Sequence, residues 1–350
     1  MAQVTEGAMK GAFLLKPETI AILVLPRPRP GVGEVLVRVR AVGICGSDMH
    51  LYDTGRIGPV VLQGPHIPDH EMSGEIAALG EGVTGLAVGQ RVVLEPGLAC
   101  GHCRMCRIGR YNFCGALKFL GVPPNHGCLT EYVVAPAQWL YPLPDALSFA
   151  AGAAVEPLAV GLQAVAQGSV GPESRVAIFG AGMIGLVTLE AALSRGAAHI
   201  WVVDVVEQRL GMAKALGATV LNARHEDVVH ELRRQTAGGP DVVIEATGAP
   251  AAITAAFKSA ARGATIVAVG FTEQPTVALD YTAIVRSGVR IETLFRYANQ
   301  FPLALDVAVR RRERLAKFVT DCLPFPQTAE AFALAHERRE STIKVIVEFP

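Results

Sequence analysis

Four of the seven cysteines in this 350-residue chain fall within fifteen residues, as Cys100, Cys103, Cys106 and Cys114. The spacing is C-x2-C-x2-C-x7-C. Tight C-x2-C steps turn successive sulfurs inward around a shared soft cation, and four thiolates complete a tetrahedral shell. The pattern predicts a structural zinc lobe with no position left for substrate. Arg104, Arg107 and Arg110 lie within the same stretch and could offset the −2 that remains when four thiolates meet one Zn2+. An odd cysteine total with metal-type spacing disfavours a secreted disulfide framework. Cys128 and Cys322 are expected to be small buried apolar residues.

A second group of residues has the spacing to bind a dinucleotide. Gly180-Ala-Gly182-Met183-Ile184-Gly185 is G-x-G-x-x-G, and Asp204 follows nineteen residues after Gly185. The first glycine makes the turn, the second lets the backbone approach a pyrophosphate, and the third allows close helix–sheet packing. Asp204 would accept hydrogen bonds from ribose hydroxyls and repel a 2′-phosphate, which favours NAD over NADP. Arg209 could line the adenine.

A third group could hold a reactive metal. Cys45-Gly-Ser47-Asp-Met-His50, His70-Glu71 and Glu156-Pro157 are its three parts. A catalytic zinc wants three or four protein ligands and an open position. Cys45, His70 and Glu71 could supply a thiolate, an imidazole and a carboxylate, whose charges cancel Zn2+. Such a site can still polarise an alcohol and stabilise the alkoxide as it forms.

These groups need elements to position them. Glu34–Arg40 alternates polar and apolar residues, as a half-buried strand should. Glycines and prolines punctuate the stretch from Gly55 to Gly127, so the first ~155 residues read as an irregular, mostly antiparallel β domain. Ala150–Ala166 has helical spacing and should be one long helix. Strand and helix then alternate: Arg175–Phe179, a helix over Gly182–Ser194, His199–Asp204, a helix over Glu207–Leu216, Asp241–Ala246 and Ala264–Val269. Continuous Val/Ile runs suit a parallel sheet covered on both faces. Ser341–Phe349 reads as a terminal strand that could return to the first domain. Hydrophobic residues make up 51% and charged residues 18%, enough apolar material for two cores and too much for a disordered chain. The 32 basic and 32 acidic side chains balance, so no charge excess points to nucleic acid or an anionic membrane. No signal-peptide core and no apolar run of membrane-spanning length is read, and a cytoplasmic protein is expected.

With these residues in view, the chain resembles the zinc-dependent medium-chain dehydrogenases, and within them it is similar to the polyol (sorbitol and xylitol) dehydrogenases. The matching stretches are Val42–Asp48, Gly55–Gly58, His70-Glu71, Glu95-Pro96, Glu156-Pro157-Leu158, Gly180–Gly185 and Phe295-Arg296-Tyr297. The resemblance implies an α/β fold: a GroES-like β-rich catalytic domain over 1–155, completed by 296–350, with a Rossmann doubly wound parallel-sheet domain over 156–295. It implies that Cys45, His70 and Glu71 hold a catalytic zinc, with Glu156 a fourth ligand or a partner of the zinc-bound water. Ser47, His50 and Glu156 would serve the proton, and Ser47, Tyr52, Phe119, Glu156, Arg296 and Tyr297 the polyol. Thr247, Val269 and Phe295 would join Gly180, Gly182, Met183, Ile184, Gly185, Asp204 and Arg209 around the cofactor. Two departures stand out. Asp69 occupies a position where many relatives have glycine, and it would either shape a turn or orient His70. Leu51 then Tyr52 follow His50, where animal sorbitol dehydrogenases place tyrosine directly after the corresponding position.

The implied function is oxidation of a secondary polyol hydroxyl to the ketose, with hydride transfer to NAD. One catalytic and one structural zinc are expected per subunit, in a homotetramer. The rivals are another medium-chain activity, such as an L-threonine or aldose dehydrogenase, and a non-catalytic cofactor-binding protein on this scaffold.

Overall fold

A computed structural model of the chain describes residues 7–272, 274, 276–337 and 341–350. The first six residues of the N-terminal stretch lie outside the described residues. Two compact units form. One comprises residues 1–156 and 301–350, the other residues 157–300. The division falls one residue after the expected boundary near 155 and five after that near 295. Residues 298 and 300 stay with the second unit because Gln163 Oε1 accepts from the Ala298 N–H and from Gln300 Nε2.

The first unit is built on a sheet in the order Leu140–Pro142, Arg91–Leu94, Glu71–Leu79, Glu34–Gly43, Lys344–Glu348, Val319–Pro324. Tyr132–Pro136 also pairs with the N-terminal half of Glu34–Gly43. The terminal strand therefore does return, pairing antiparallel with the C-terminal half of Glu34–Gly43 and parallel with Val319–Pro324. Glu34–Gly43 is longer than its alternating stretch suggests. Its last residues, Ala41, Val42 and Gly43, are apolar and buried under strands on both sides. Leu14, Val37, Leu51, Met72, Ile76, Leu94, Leu129 and Phe332 fill the core. Burying each such side chain is worth roughly 1.5–3 kcal/mol.

The second unit is a six-stranded parallel sheet. Its order is Thr219–Asn222, His199–Asp204, Arg175–Phe179, Val242–Glu245, Thr265–Ala268, Arg290–Thr293. In chain order this is 3-2-1-4-5-6, so the winding reverses between Arg175–Phe179 and Val242–Glu245. Ligands of such sheets bind beyond the strand C-termini at that point. Thr219–Asn222 and Arg290–Thr293 escape a reading of apolar runs, because polar residues flank or interrupt their few apolar ones. All four residues of Arg290–Thr293 are exposed.

The helix expected over Ala150–Ala166 is two, Phe149–Ala153 and Val155–Gln167. Pro157 has no N–H to give to the Ala153 carbonyl, which breaks the ladder there. The combined stretch of 19 residues is by length and composition apolar enough to span a membrane, although Glu156 interrupts it and no uninterrupted apolar run of that length occurs. Most of it is buried in the protein, as a core helix is.

Candidate active site and metal centres

Cys45 begins the site because it starts a helix. It is the N-cap of Gly46–Thr54, and its N–H is accepted by Asp48 Oδ2 and by Asp69 Oδ1, each at 3.3 Å. Asp48 is fully buried, accepts the Asp69 N–H at 2.9 Å through Oδ1, and has its other oxygen 3.9 Å from His70 Nδ1. Asp48 is therefore the carboxylate beside His70, a role the sequence reading left unassigned. Asp69 takes the turn role: its φ is +69°, a left-handed conformation that glycine adopts freely. Its carbonyl accepts the Cys128 N–H at 2.8 Å. Burial, then the charge of Asp48, raises the Asp69 carboxyl well above the usual range.

Glu71 opens the next strand, in register with Gly43. One ligand atom each from Cys45, His70 and Glu71 lies within 4.8 Å of the others. Burial, then the Glu71 charge, holds the Cys45 thiol far above its ordinary value. A divalent cation is what would displace that proton, since metal binding requires the thiolate. Glu156 is buried outside this three-residue cluster, and its charge also bears on Cys45. Phe119 is brought beside the cluster, its ring meeting the His70 ring edge-on with centroids 5.0 Å apart. Ser47 Oγ is buried with no hydrogen-bond partner, an orphaned group of the kind a bound hydroxyl would satisfy.

Tyr52 is not brought in. Its ring packs 5.3 Å from Phe332 and 6.2 Å from His336, within the core of the unit. His50 and Tyr52 are two residues apart, about 200° around a helix, so they point to opposite faces. Tyr52 is thus a core residue and not a substrate contact. The strongest omission is Lys344, whose Nζ donates to both oxygens of Glu71 at 2.8 Å. A lysine at the head of a buried Val-Ile-Val strand was the available signal, since such a charge must find a partner.

The cysteine lobe forms as its spacing predicts. Cys100, Cys103, Cys106 and Cys114 converge within 4.8 Å. Sulfur separations are 3.9 Å for Cys100–Cys106 and 3.5 Å for Cys103–Cys106. A tetrahedron with Zn–S near 2.3 Å has edges of about 3.8 Å. The His102 N–H, first among several donors, brings the Cys100 thiol down to about 6. Burial, then the hydrogen bond to Cys103, pushes the Cys106 thiol up to about 12. Arg110 stacks on the Phe113 ring at 5.1 Å. Glu95 anchors the lobe: it is buried, and accepts from Tyr111 at 2.7 Å and from Tyr141 at 2.9 Å. Cys128 is buried as expected, but Cys322 is exposed, because it lies on the outermost strand of the sheet.

In the second unit the glycine motif sits at the reversal of the winding. Gly182 caps the Met183–Ser194 helix. A Cβ on Gly185 would collide with the Gly180 carbonyl, and one on Gly180 would press on Thr247. Asp204 accepts the Ala181 N–H at 2.6 Å and the Val205 and Val206 N–H groups at 2.7 and 2.9 Å. Arg209 Nη1 lies 3.6 Å from where a Gly182 Cβ would stand. Thr247 is held by Glu245 Oε1 through its N–H at 2.7 Å and through its hydroxyl. Gly180, Gly182, Gly185, Asp204, Arg209 and Thr247 are thus gathered in one place. Met183 and Ile184 form the first turn of the helix. Val269 and Phe295 follow the fifth and sixth strands in spatial order. The Arg296 guanidinium lies 4.7 Å over the Phe295 ring, and Tyr297 is buried.

Comparison with known proteins agrees with this geometry. The alcohol dehydrogenase GroES-like domain family matches residues 31–145, and the zinc-binding dehydrogenase family matches residues 184–310. The chain is 39% identical over 341 residues to sorbitol dehydrogenase of Bacillus subtilis (strain 168), covering 97% of each. It is 37% identical over 344 residues to L-idonate 5-dehydrogenase of Vitis vinifera, covering 96% of this chain and 93% of that one. A solved alcohol dehydrogenase of Escherichia coli CFT073, complexed with NADH, superposes with a TM-score of 0.89 at 30% identity, over 98% of this chain and all of that one. The chain belongs to the zinc-dependent medium-chain dehydrogenases, in their polyol dehydrogenase branch. It is an oxidoreductase fold built for zinc and a nicotinamide cofactor.

Proposed function

We propose that the protein oxidises a secondary hydroxyl of a xylitol- or sorbitol-type polyol to the ketose, with NAD as acceptor. The observation that carries this reading is the convergence of Cys45, His70 and Glu71 within 4.8 Å. A structural site would add a fourth protein ligand, whereas three leave a position for substrate. Cys45, His70 and Glu71 would hold the zinc, which would supply Lewis acidity to the substrate hydroxyl, and NAD would supply the hydride acceptor.

The chain's own residues do the rest. Cys45, His70 and Glu71 form the cage, and Glu156 stands beside it to orient a water or a hydroxyl. Ser47 would accept the hydroxyl proton while passing its own to the imidazole of His50, which is partly exposed one turn along the same helix and releases a proton to solvent. Phe119 walls off the His70 side and keeps water from the reacting carbon. A polyol needs partners for its further hydroxyls, because a buried unpaired hydroxyl costs roughly 1–3 kcal/mol, and by the family resemblance that part would fall to Arg296 and Tyr297. Asp204 supports NAD over NADP by its charge at the ribose position.

We place the protein in the cytoplasm, where its seven free cysteines would stay reduced. A homotetramer is the proposed assembly. The exposed outer strand Arg290–Thr293, which carries the exposed Ile291, together with exposed Val285 and Tyr281, supports a contact between copies. Light scattering of the purified protein tests it.

Cys45→Ser tests the reading. The variant should fold, bind NADH, carry one zinc instead of two and lose polyol oxidation by more than about 100-fold, beyond the usual cost of losing an outer-shell partner. Full activity at one zinc per chain would refute it.

A further inference from the structure

We infer that Lys344 is the positioning residue of the catalytic metal cage: it holds the Glu71 carboxylate in its ligating place before any metal arrives. The inference rests on the reading of Cys45, His70 and Glu71 as metal ligands.

Lys344 is 3% exposed, at the head of a strand whose next three residues are buried valine and isoleucine. An ammonium has three N–H donors. Lys344 directs them to Glu71 Oε1 at 2.8 Å, Glu71 Oε2 at 2.8 Å and the Ile44 carbonyl at 2.9 Å. Ile44 directly precedes Cys45, so one side chain ties the carboxylate to the segment that carries the thiol. Gly43 closes the seat, because a Cβ there would strike Glu71 Oε2. Each carboxylate oxygen has two acceptor sites. The lysine occupies one on each oxygen and leaves the others for a cation shared with Cys45 and His70.

Charge gives the same role. Asp48, Glu71 and Glu156 all bear on Cys45, Asp69 adjoins Asp48, and Lys344 is the cation acting on that thiol. Without it, Glu71 would be a buried, uncompensated charge facing other acids, which is strongly unfavourable. With it, the ligand oxygen is fixed and the metal binds without rearrangement, as outer partners of metal ligands commonly arrange.

Lys344→Met keeps the length of the stem and removes the charge. The zinc affinity of the catalytic site, measured by chelator competition, should fall about 10–100-fold, the usual cost of losing such a partner. The cysteine lobe should keep its zinc, and the visible bands of the cobalt-substituted catalytic site should weaken in step. In a Glu71→Ala background the same substitution should change zinc affinity less than twofold, since Lys344 acts through Glu71. Unchanged affinity of Lys344→Met in the native background would overturn the role. Should that variant fail to fold, the crystal structure of chelator-treated wild-type protein decides. Glu71 still bonded to Lys344 supports the inference, and Glu71 turned out of the cage overturns it. Wild-type protein that binds one zinc per chain would instead refute the underlying metal reading.

Discussion

Gly43 faces Glu71 across the ladder between Glu34–Gly43 and Glu71–Leu79, so closely that any side chain at residue 43 would displace the Glu71 carboxylate. The φ of Gly43 lies outside the left-handed region, so the demand is for space and not for backbone freedom. Gly43→Ala should therefore leave the strand intact but lower zinc affinity at the catalytic site about 10-fold or more. Metal analysis after dialysis against a weak chelator should find close to one zinc per chain. Two tightly held zincs would show that Glu71 is not confined as described.

The cysteine lobe should matter for stability and not for chemistry. Cys114→Ser opens the four-thiolate shell and should release one zinc, lowering the melting temperature, because structural zinc contributes folding energy directly. Turnover per folded molecule at 25 °C should stay within about threefold. Loss of turnover at unchanged fold would assign the lobe a part in catalysis.

Glu95 offers a test by pH. Burial raises its carboxyl above 4.5, and the Tyr111 and Tyr141 hydroxyls only partly counter this. A raised carboxyl pKa means the folded state binds the proton more tightly than the unfolded one. Its contribution to stability is then greatest below 4.5 and falls as pH rises through the folded value. Glu95→Gln has no such dependence. The melting temperature of wild type minus that of the variant should shrink as pH rises from about 4.5 toward 7. Zinc loss common to both proteins cancels in the difference. A gap that widens with pH would contradict the burial argument.

Asp204 should set the choice of cofactor. Asp204→Asn removes the charge and keeps one oxygen for the Val205 and Val206 N–H groups, while the Ala181 N–H loses its acceptor. The ratio of kcat/KM for NAD over NADP should fall by about 10-fold, since the repulsion of a 2′-phosphate is lost. An unchanged ratio would place the discrimination elsewhere, with Arg209 the next residue to vary.

Chemistry that depends on local spacing was legible in the sequence. Four thiols at C-x2-C steps and a glycine turn between strand and helix have few alternative uses, and both form as expected. Cys45, His70 and Glu71 were legible as ligand types. What joins them was not, because the joining groups are remote or face-dependent. Lys344 lies 273 residues from Glu71, and only the sheet order brings them together. Asp48 was within a recognised motif, yet only the close approach to His70 and Asp69 reveals its part. Tyr52 failed for the opposite reason: adjacency in sequence suggested a shared site, and helical rotation sent its ring into the core. Cys322 looked like a core residue by type, but an outermost strand leaves it exposed.

The central claim is a zinc- and NAD-dependent polyol oxidation. It is tested most directly by initial rates of NADH formation by zinc-loaded protein across xylitol, sorbitol, arabitol, galactitol, erythritol, L-idonate, L-threonine and glucose, repeated with NADP and after removal of the catalytic zinc. The account predicts the highest kcat/KM for one of the polyols with NAD, lost with the zinc and restored by adding it back. Turnover of threonine or glucose without any polyol, or polyol oxidation that survives loss of the zinc, would contradict it.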